Sequence, residues 1–125
     1  MAYESSLDYR FSPDLRINDL ESLNKEISEL NYGMSEAVIK ESHCGIVKEY
    51  ALEMNDFSGR FDDDEAFADL LKKHITQGKA EIYYTGEDGA KWGYAITPGK
   101  YEPLEFIAVP QRIAGRVKEY IRTLL

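Results

Sequence analysis

The sequence predicts a single α+β domain, an antiparallel sheet packed with about three helices. Three observations predict this class. Positions 79–109 alternate apolar and polar residues between turn signals. Three other stretches carry apolar residues at helical spacing. A chain of 125 residues has the usual size of one domain, which we expect to span residues 1–125.

Positions 79–109 predict a three-stranded antiparallel meander. Turn residues at 86–89 and at 98–99 separate its strands. Alternate side chains of a strand lie on opposite faces, so one set should face the helices and Tyr83 should lie on the other face. The set expected to face the helices includes Ile82, Tyr84, Trp92, Tyr94 and Ile96.

The N-terminal third predicts one strand and one helix. Alternation at residues 7–11 favours a short strand, and Pro13 is typical of the turn that follows. Asn18 or Asp14 would cap the helix, which should end near Gly33. The apolar residues predicted to share its buried face are Ile17, Leu20, Leu23, Ile27 and Leu30.

Residues 34–54 allow two interpretations. Residues 35–41 fit either a short helix or an irregular segment. Residues 46–54 favour a strand by their alternation, although Ile46, Tyr50 and Met54 also have helical spacing. With the meander, the strand predictions give an antiparallel sheet of four or five strands, one or two of them N-terminal.

Two further helices are expected in the second half of the chain. Asp62 or Asp63 would cap the first, which should run to about Gln77 and stop at Gly78. Its apolar stripe would comprise Phe67, Leu70, Leu71, His74 and Ile75. The second should follow Pro110. Its apolar stripe would comprise Ile113, Val117, Tyr120, Ile121 and Leu124.

Composition and charge exclude several classes of protein. The net charge is −8, and residues 1–65 alone carry a net of −10. Such a field disfavours direct binding to nucleic acid or to an anionic membrane. Cys44 is the single cysteine, which excludes an internal disulfide framework and indicates a reducing cytoplasm. The N-terminus lacks the features of a signal peptide, and no apolar run is long enough to span a bilayer.

The motifs favour no catalytic site, no metal and no cofactor. His43 and Cys44 are adjacent, but strand neighbours point to opposite faces and rarely meet as base and nucleophile. Two histidines and one cysteine do not supply the four Cys or His ligands of a structural zinc site. The acidic run at 62–65 is typical of a helix N-terminus, and no glycine spacing completes a phosphate loop.

The leading interpretation is a non-enzymatic, cytoplasmic protein-interaction module. It would act as an inhibitor or adaptor that docks on a basic, nucleic-acid-binding surface of a partner protein, as small proteins of phages or mobile elements can. One alternative is a small enzyme with a pocket near His43 and Cys44. The other is self-assembly through an open sheet edge. The predicted partner contacts are Glu36, Glu41, Glu49, Glu53, Asp56, Asp62, Asp63, Asp64 and Tyr83.

Overall fold

The computed structural model describes residues 4–109 and 118–123. Over these residues the chain forms three antiparallel sheets and two α-helices, so the α+β class is confirmed, whereas the predicted count of about three helices is wrong. The helices are α1 (Leu20–Ser28) and α2 (Asp64–His74). The strands are β1 (Ser5–Phe11), β2 (Arg16–Ile17), β3 (Val38–Cys44), β4 (Val47–Glu53), β5 (Ser58–Gly59), β6 (Ile75–Gln77), β7 (Ala80–Gly86), β8 (Lys91–Thr97), β9 (Lys100–Val109) and β10 (Lys118–Thr123).

The main sheet has six strands in the order β10-β9-β8-β7-β1-β5, rather than four or five. The predicted meander forms its centre as β7, β8 and β9. The predicted N-terminal strand is β1, in which Leu7 lies opposite Tyr84. Cross-strand partners share a face, so β1 extends the apolar face of the meander. Two short sheets, β2-β6 and β3-β4, complete the described structure.

Helix α2 lies on the apolar face of the main sheet, and α1 packs beside α2. Helix α2 packs against β8 and β9, and α1 packs against α2 and β3. Phe67 and Leu71 of α2 and Leu23 and Ile27 of α1 are buried together with Tyr84 of β7. The strand alternation and the helical stripes therefore meet in one core, as their spacings predicted.

Helix α1 is shorter than predicted and has a different cap. Asp19, rather than Asn18 or Asp14, accepts a hydrogen bond from the Ser22 amide at 3.3 Å. Asp19 has a φ of 53°, a conformation that aspartate tolerates better than most residues. The Asn18 amide instead donates to the His74 carbonyl, and Ile17 belongs to β2.

Helix α2 ends at His74, three residues before the predicted end at Gln77. Its continuation, β6, pairs with β2 and places Ile75 opposite Ile17. Ile75 and Thr76 are β-branched, and strand pairing outweighs the helical spacing of Ile75. The expected cap Asp63 precedes the helix, but its side chain makes no capping hydrogen bond.

The predicted C-terminal helix is wrong over Lys118–Thr123, which form β10. The rest of that prediction lies outside the described residues. Strand β10 pairs with β9 along 104–109, at the edge of β9 away from β8. Tyr120 and Ile121 are good strand formers, and the backbone of β9 offers them a full ladder. Tertiary pairing here overrides a helical spacing.

Residues 34–54 contain one confirmed strand and one that the sequence did not predict. The strand expected at 46–54 is β4. Of residues 35–41, the first two end a short 3-10 helix at Tyr32–Glu36, and residues 38–41 belong to β3. Strand β3 pairs with β4 along its whole length. Within the described ranges, no helix is long and apolar enough to cross a membrane.

Candidate interaction surface

Strands β3 and β4 form a hairpin that we call the arm (residues 38–53). Gly45 takes the first turn position with a φ of 64°, as a two-residue type II′ turn requires. Ile39 and Leu52 are buried at the base of the arm and anchor it in the core. The arm is therefore fixed at its base by the same apolar contacts that hold the domain together.

The distal half of the arm is exposed on both faces. Ile46 is fully exposed, and Val47 keeps 50% of its surface in solvent. Val38, at the base, is also exposed. Phe57, which lies outside the arm, is the fourth large apolar residue that is exposed among the residues that the structure describes. Two adjacent apolar side chains at an exposed tip can contribute to a contact surface.

Asn24 of α1 binds the backbone of β3 as a neighbouring strand would. Its Nδ2 donates to the Ile39 carbonyl at 3.0 Å, and its Oδ1 accepts from the Ile39 amide at 2.8 Å. These contacts show that the backbone groups of Ile39 point away from β4. In an antiparallel ladder this direction alternates, so the amides and carbonyls of Glu41 and His43 also point away from β4.

The two edges of the arm have different surroundings. On the β4 side, Tyr50 Oη accepts from the Ile17 amide at 3.2 Å. A cleft of about 280 Å³ separates this side from the turn that contains Pro13. On the β3 side, beyond Asn24, no backbone partner meets Glu41 or His43 among residues 4–109 and 118–123. The arm therefore has one partly covered edge and one open edge.

Charges of both signs lie on one face of the arm. Glu41 contacts His43 Nε2 at 3.1 Å and Lys48 Nζ at 3.5 Å. The hydrogen bond with His43 lowers the pKa of Glu41, and the Lys48 charge acts in the same direction. The predicted contact Glu49 is exposed on the opposite face, where the register places it across from Ser42.

Four of the predicted contacts lie around the base of the arm, and we call them the basal acidic surface: Glu36, Glu53, Asp56 and Asp62. Glu36 and Asp56 line an open cleft of about 350 Å³ together with Arg60. Asp62 pairs with Arg60 at 2.6 Å. All four carboxylates belong to exposed residues, so they present a negative surface with one guanidinium among them.

Asp63 and Asp64 use their carboxylates within the fold. Asp63 accepts a hydrogen bond from the Asn31 amide at 2.7 Å. Asp64 accepts from Trp92 Nε1 at 2.7 Å and from Tyr94 Oη at 3.2 Å, which ties the start of α2 to β8. These two residues therefore hold the helix in place, whereas the basal acidic surface faces solvent.

Tyr83 lies on the face of the main sheet away from the helices. It sits opposite Gly93 on β8 and Asp8 on β1, and it is half-buried. Burial raises the pKa of Tyr83 to about 12, and the nearby Glu81 carboxylate adds to the shift. The structure thus separates Tyr83 from the acidic residues with which it was grouped.

His43 and Cys44 are exposed on the arm rather than placed in a pocket between sheet and helices. As consecutive residues of β3 they point to opposite faces, and the His43 ring contacts Glu41. Among the described residues, no three His, Cys, Asp or Glu side chains gather as a metal site would require.

Sequence reasoning missed the polar junction between the two helices. His74 is only 8% exposed, and its Nε2 contacts Glu26 Oε1 at 2.9 Å. Its Nδ1 lies 2.9 Å from the Asn18 carbonyl, and Lys73 binds the second Glu26 oxygen at 2.7 Å. The contacts join residues about fifty positions apart, so only the position of His74 at a helix end signalled them.

A search of protein-family models, of curated proteins and of solved structures finds no match for this chain.

Proposed function

We propose that this protein is a non-enzymatic interaction module whose basal acidic surface binds a basic surface of a partner protein. The observation that carries the proposal is the cleft at the base of the arm, where Glu36 and Asp56 face solvent beside a single guanidinium. A lysine or arginine side chain of a partner would complement the two carboxylates of this cleft by charge.

The surroundings of the cleft support the same chemistry. Glu53 and Asp62 extend the negative surface on either side, and the first 65 residues carry most of the negative charge of the chain. Long-range attraction by this field would speed the approach of a basic partner and weaken as salt is added. Nucleic acid would be repelled, so a nucleic-acid-binding protein could be captured through its own basic site.

This proposal gives the protein the role of an inhibitor or adaptor in the cytoplasm. Cys44 is exposed, and a reducing compartment keeps such a thiol free. A partner that normally binds nucleic acid would be blocked while the acidic surface occupies its basic groups. The partner class follows from charge alone, and its identity has to come from experiment.

The test is a pull-down from nuclease-treated host lysate at low and high salt, with bound proteins identified by mass spectrometry. The wild-type protein is the reference bait. The test variant combines Glu36→Gln, Glu53→Gln and Asp56→Asn. The matched control combines Glu21→Gln, Glu29→Gln and Glu87→Gln, which removes the same charge from exposed positions elsewhere.

We expect a basic partner that is retained at low salt by the wild type and by the control. Exposed ion pairs contribute about 0.2–1 kcal/mol each, so loss of three should weaken binding by roughly tenfold. Equal binding by the two triple variants, or an affinity that does not change with salt, would contradict the proposal.

A further inference from the structure

The open edge of β3 has a defined set of backbone groups to offer. Ile39 is occupied by Asn24, so the free groups that point outward belong to Glu41 and His43. The two-residue turn makes Cys44 and Val47 a hydrogen-bonded pair, so the backbone groups of Cys44 point towards β4. Because the direction alternates along the strand, those of His43 and Glu41 point outward, in agreement with the direction found from Asn24. An added strand would have to match these two residues.

We propose that the β3 edge binds the β3 edge of a second copy of this chain, antiparallel, with Ser42 on the twofold axis. This register places Glu41 of each copy opposite His43 of the other. Each of the two pairs can exchange two N–H···O bonds, because both residues direct their backbone groups outward. The product is a four-stranded sheet in the order β4-β3-β3-β4.

The Glu41 carboxylate disfavours the neighbouring register centred on Glu41. A twofold axis at Glu41 would place two carboxylates directly opposite each other, and like charges across strands are destabilising. The Ser42 register instead pairs a carboxylate with an imidazole twice. The Glu41 carboxylate and the His43 imidazole already contact each other at 3.1 Å within one chain. The same two groups can therefore form a hydrogen bond between two chains.

The exposed apolar residues of the arm fit the same arrangement. In an antiparallel pair centred on Ser42, the tip of each arm comes to the base of the other. Of the three exposed apolar residues of the arm, Ile46 at the tip comes level with Val38 at the base of the second copy, whereas Val47 lies on β4, away from that copy. This inference does not rest on the acidic surface described above.

Engineered cysteines test the register. Ser42→Cys in a Cys44→Ser background should form a disulfide-linked dimer on mild copper-catalysed oxidation in air, because the two cysteines lie opposite each other at a non-hydrogen-bonded position. Lys40→Cys should cross-link with native Cys44 of the second copy. Glu49→Cys in the Cys44→Ser background is the control, since it lies on the same exposed face but on β4.

The backbone contribution is tested with His43→Pro. Proline removes an outward amide that the arm does not use internally, so the fold should survive while the dimer is lost. His43→Ala keeps the amide and removes the imidazole that contacts Glu41, so it should retain a weakened dimer. Light scattering from low micromolar to near-millimolar concentration, with circular dichroism for the fold, measures both.

A concentration-dependent dimer that is lost in His43→Pro, together with cross-linking at 42 but not at 49, is the expected result. A chain that stays monomeric throughout and fails to cross-link at 42 overturns the proposal and leaves the edge to an extended segment of another protein. Equal cross-linking at 42 and 49, or a dimer that persists in folded His43→Pro, also overturns it.

Discussion

The chain contains two hairpins of equal strand length that differ in what covers them. Strands β7 and β8 have seven residues each, as do β3 and β4. Every second residue of β7 is buried, and its neighbours are half-buried. In β3 only Ile39 is buried. Because both hairpins make a complete ladder, the difference shows that backbone pairing alone does not determine which hairpin belongs to the core.

The side chains explain the contrast. The β7-β8 hairpin presents Ile82, Tyr84 and Ile96 on one face, and each adds apolar area to the core. The distal arm presents a glutamate, a histidine and a lysine on the corresponding face. Its stability comes from two anchors at the base and from the turn, so its outer half is available for contacts with other molecules.

The largest effect on stability is expected for Trp92→Ala, which should lower the free energy of unfolding by roughly 3–5 kcal/mol. Trp92 stacks on Tyr84 with ring centroids 5.4 Å apart, and it donates to Asp64. Urea denaturation measures the loss. Trp92→Phe should lose less, because it keeps a ring against Tyr84. A loss below about 1 kcal/mol for the alanine variant would place Trp92 outside the core.

A smaller loss is expected for Asp64→Ala, about 1–3 kcal/mol, because Trp92 Nε1 and Tyr94 Oη would lose their acceptor. Asp62→Ala is the matched control in the same acidic run. It removes only an exposed pair with Arg60, so it should cost less than about 1 kcal/mol. If the two variants unfold at the same urea concentration, Asp64 does not hold α2 on the sheet.

Glu26 predicts a dependence of stability on pH. Hydrogen bonds from Lys73 and His74 lower its pKa in the folded state below the ordinary value of 4.5. Because the pKa of Glu26 is lower in the folded state than in the unfolded state, its charge stabilises the fold above the unfolded pKa. This stabilisation is lost as the pH falls through the folded pKa. Glu26→Gln should therefore flatten the fall in stability below about pH 4.5.

Urea midpoints measured across this acid range test the expectation. Glu21→Gln is the control, since it removes the same charge from an exposed position of α1 without touching Lys73 or His74. Parallel acid-side curves for wild type and Glu26→Gln would show that the junction between the helices does not depend on the Glu26 charge.

The smallest effect is expected for Ile46→Ser in dilute protein. Ile46 is fully exposed, so the free energy of unfolding should change by no more than about 0.5 kcal/mol. The same substitution should weaken association at high protein concentration, because the tip contributes to the proposed contact. A clear loss of stability in dilute solution would mean that the arm packs on its own chain.

The sequence predicted the parts of the fold in which local pattern and burial agree. Alternation located β1, β7, β8 and β9, and the stripe with Phe67 and Leu71 located α2. It failed where long-range pairing decides the structure. Ile75 leaves the helix to pair with β2, and Tyr120 joins β9 rather than a helix. Such pairings depend on partners far along the chain, which a local window does not contain.

The candidate surfaces were predictable in composition but not in arrangement. Acidic residues were identified by charge, yet a count of charges does not separate Asp64, which binds Trp92, from Asp56, which faces a cleft. The direction of the open edge of β3 is known from Asn24, whose side chain bonds the backbone of Ile39. In the sequence, Asn24 looks like any other polar residue of a helix. Geometry across the chain was needed in both cases.

Amide hydrogen exchange of the arm at two protein concentrations tests the central contrast most directly. The Lys40, Ser42 and Cys44 amides face β4 and should be protected at both concentrations, whereas those of Glu41 and His43 should exchange quickly in dilute protein. At high concentration Glu41 and His43 should become protected, while β7 and β8 remain unchanged. Fast exchange of Glu41 and His43 at both concentrations would contradict the account, because it would leave the open edge without the second copy that we propose for it.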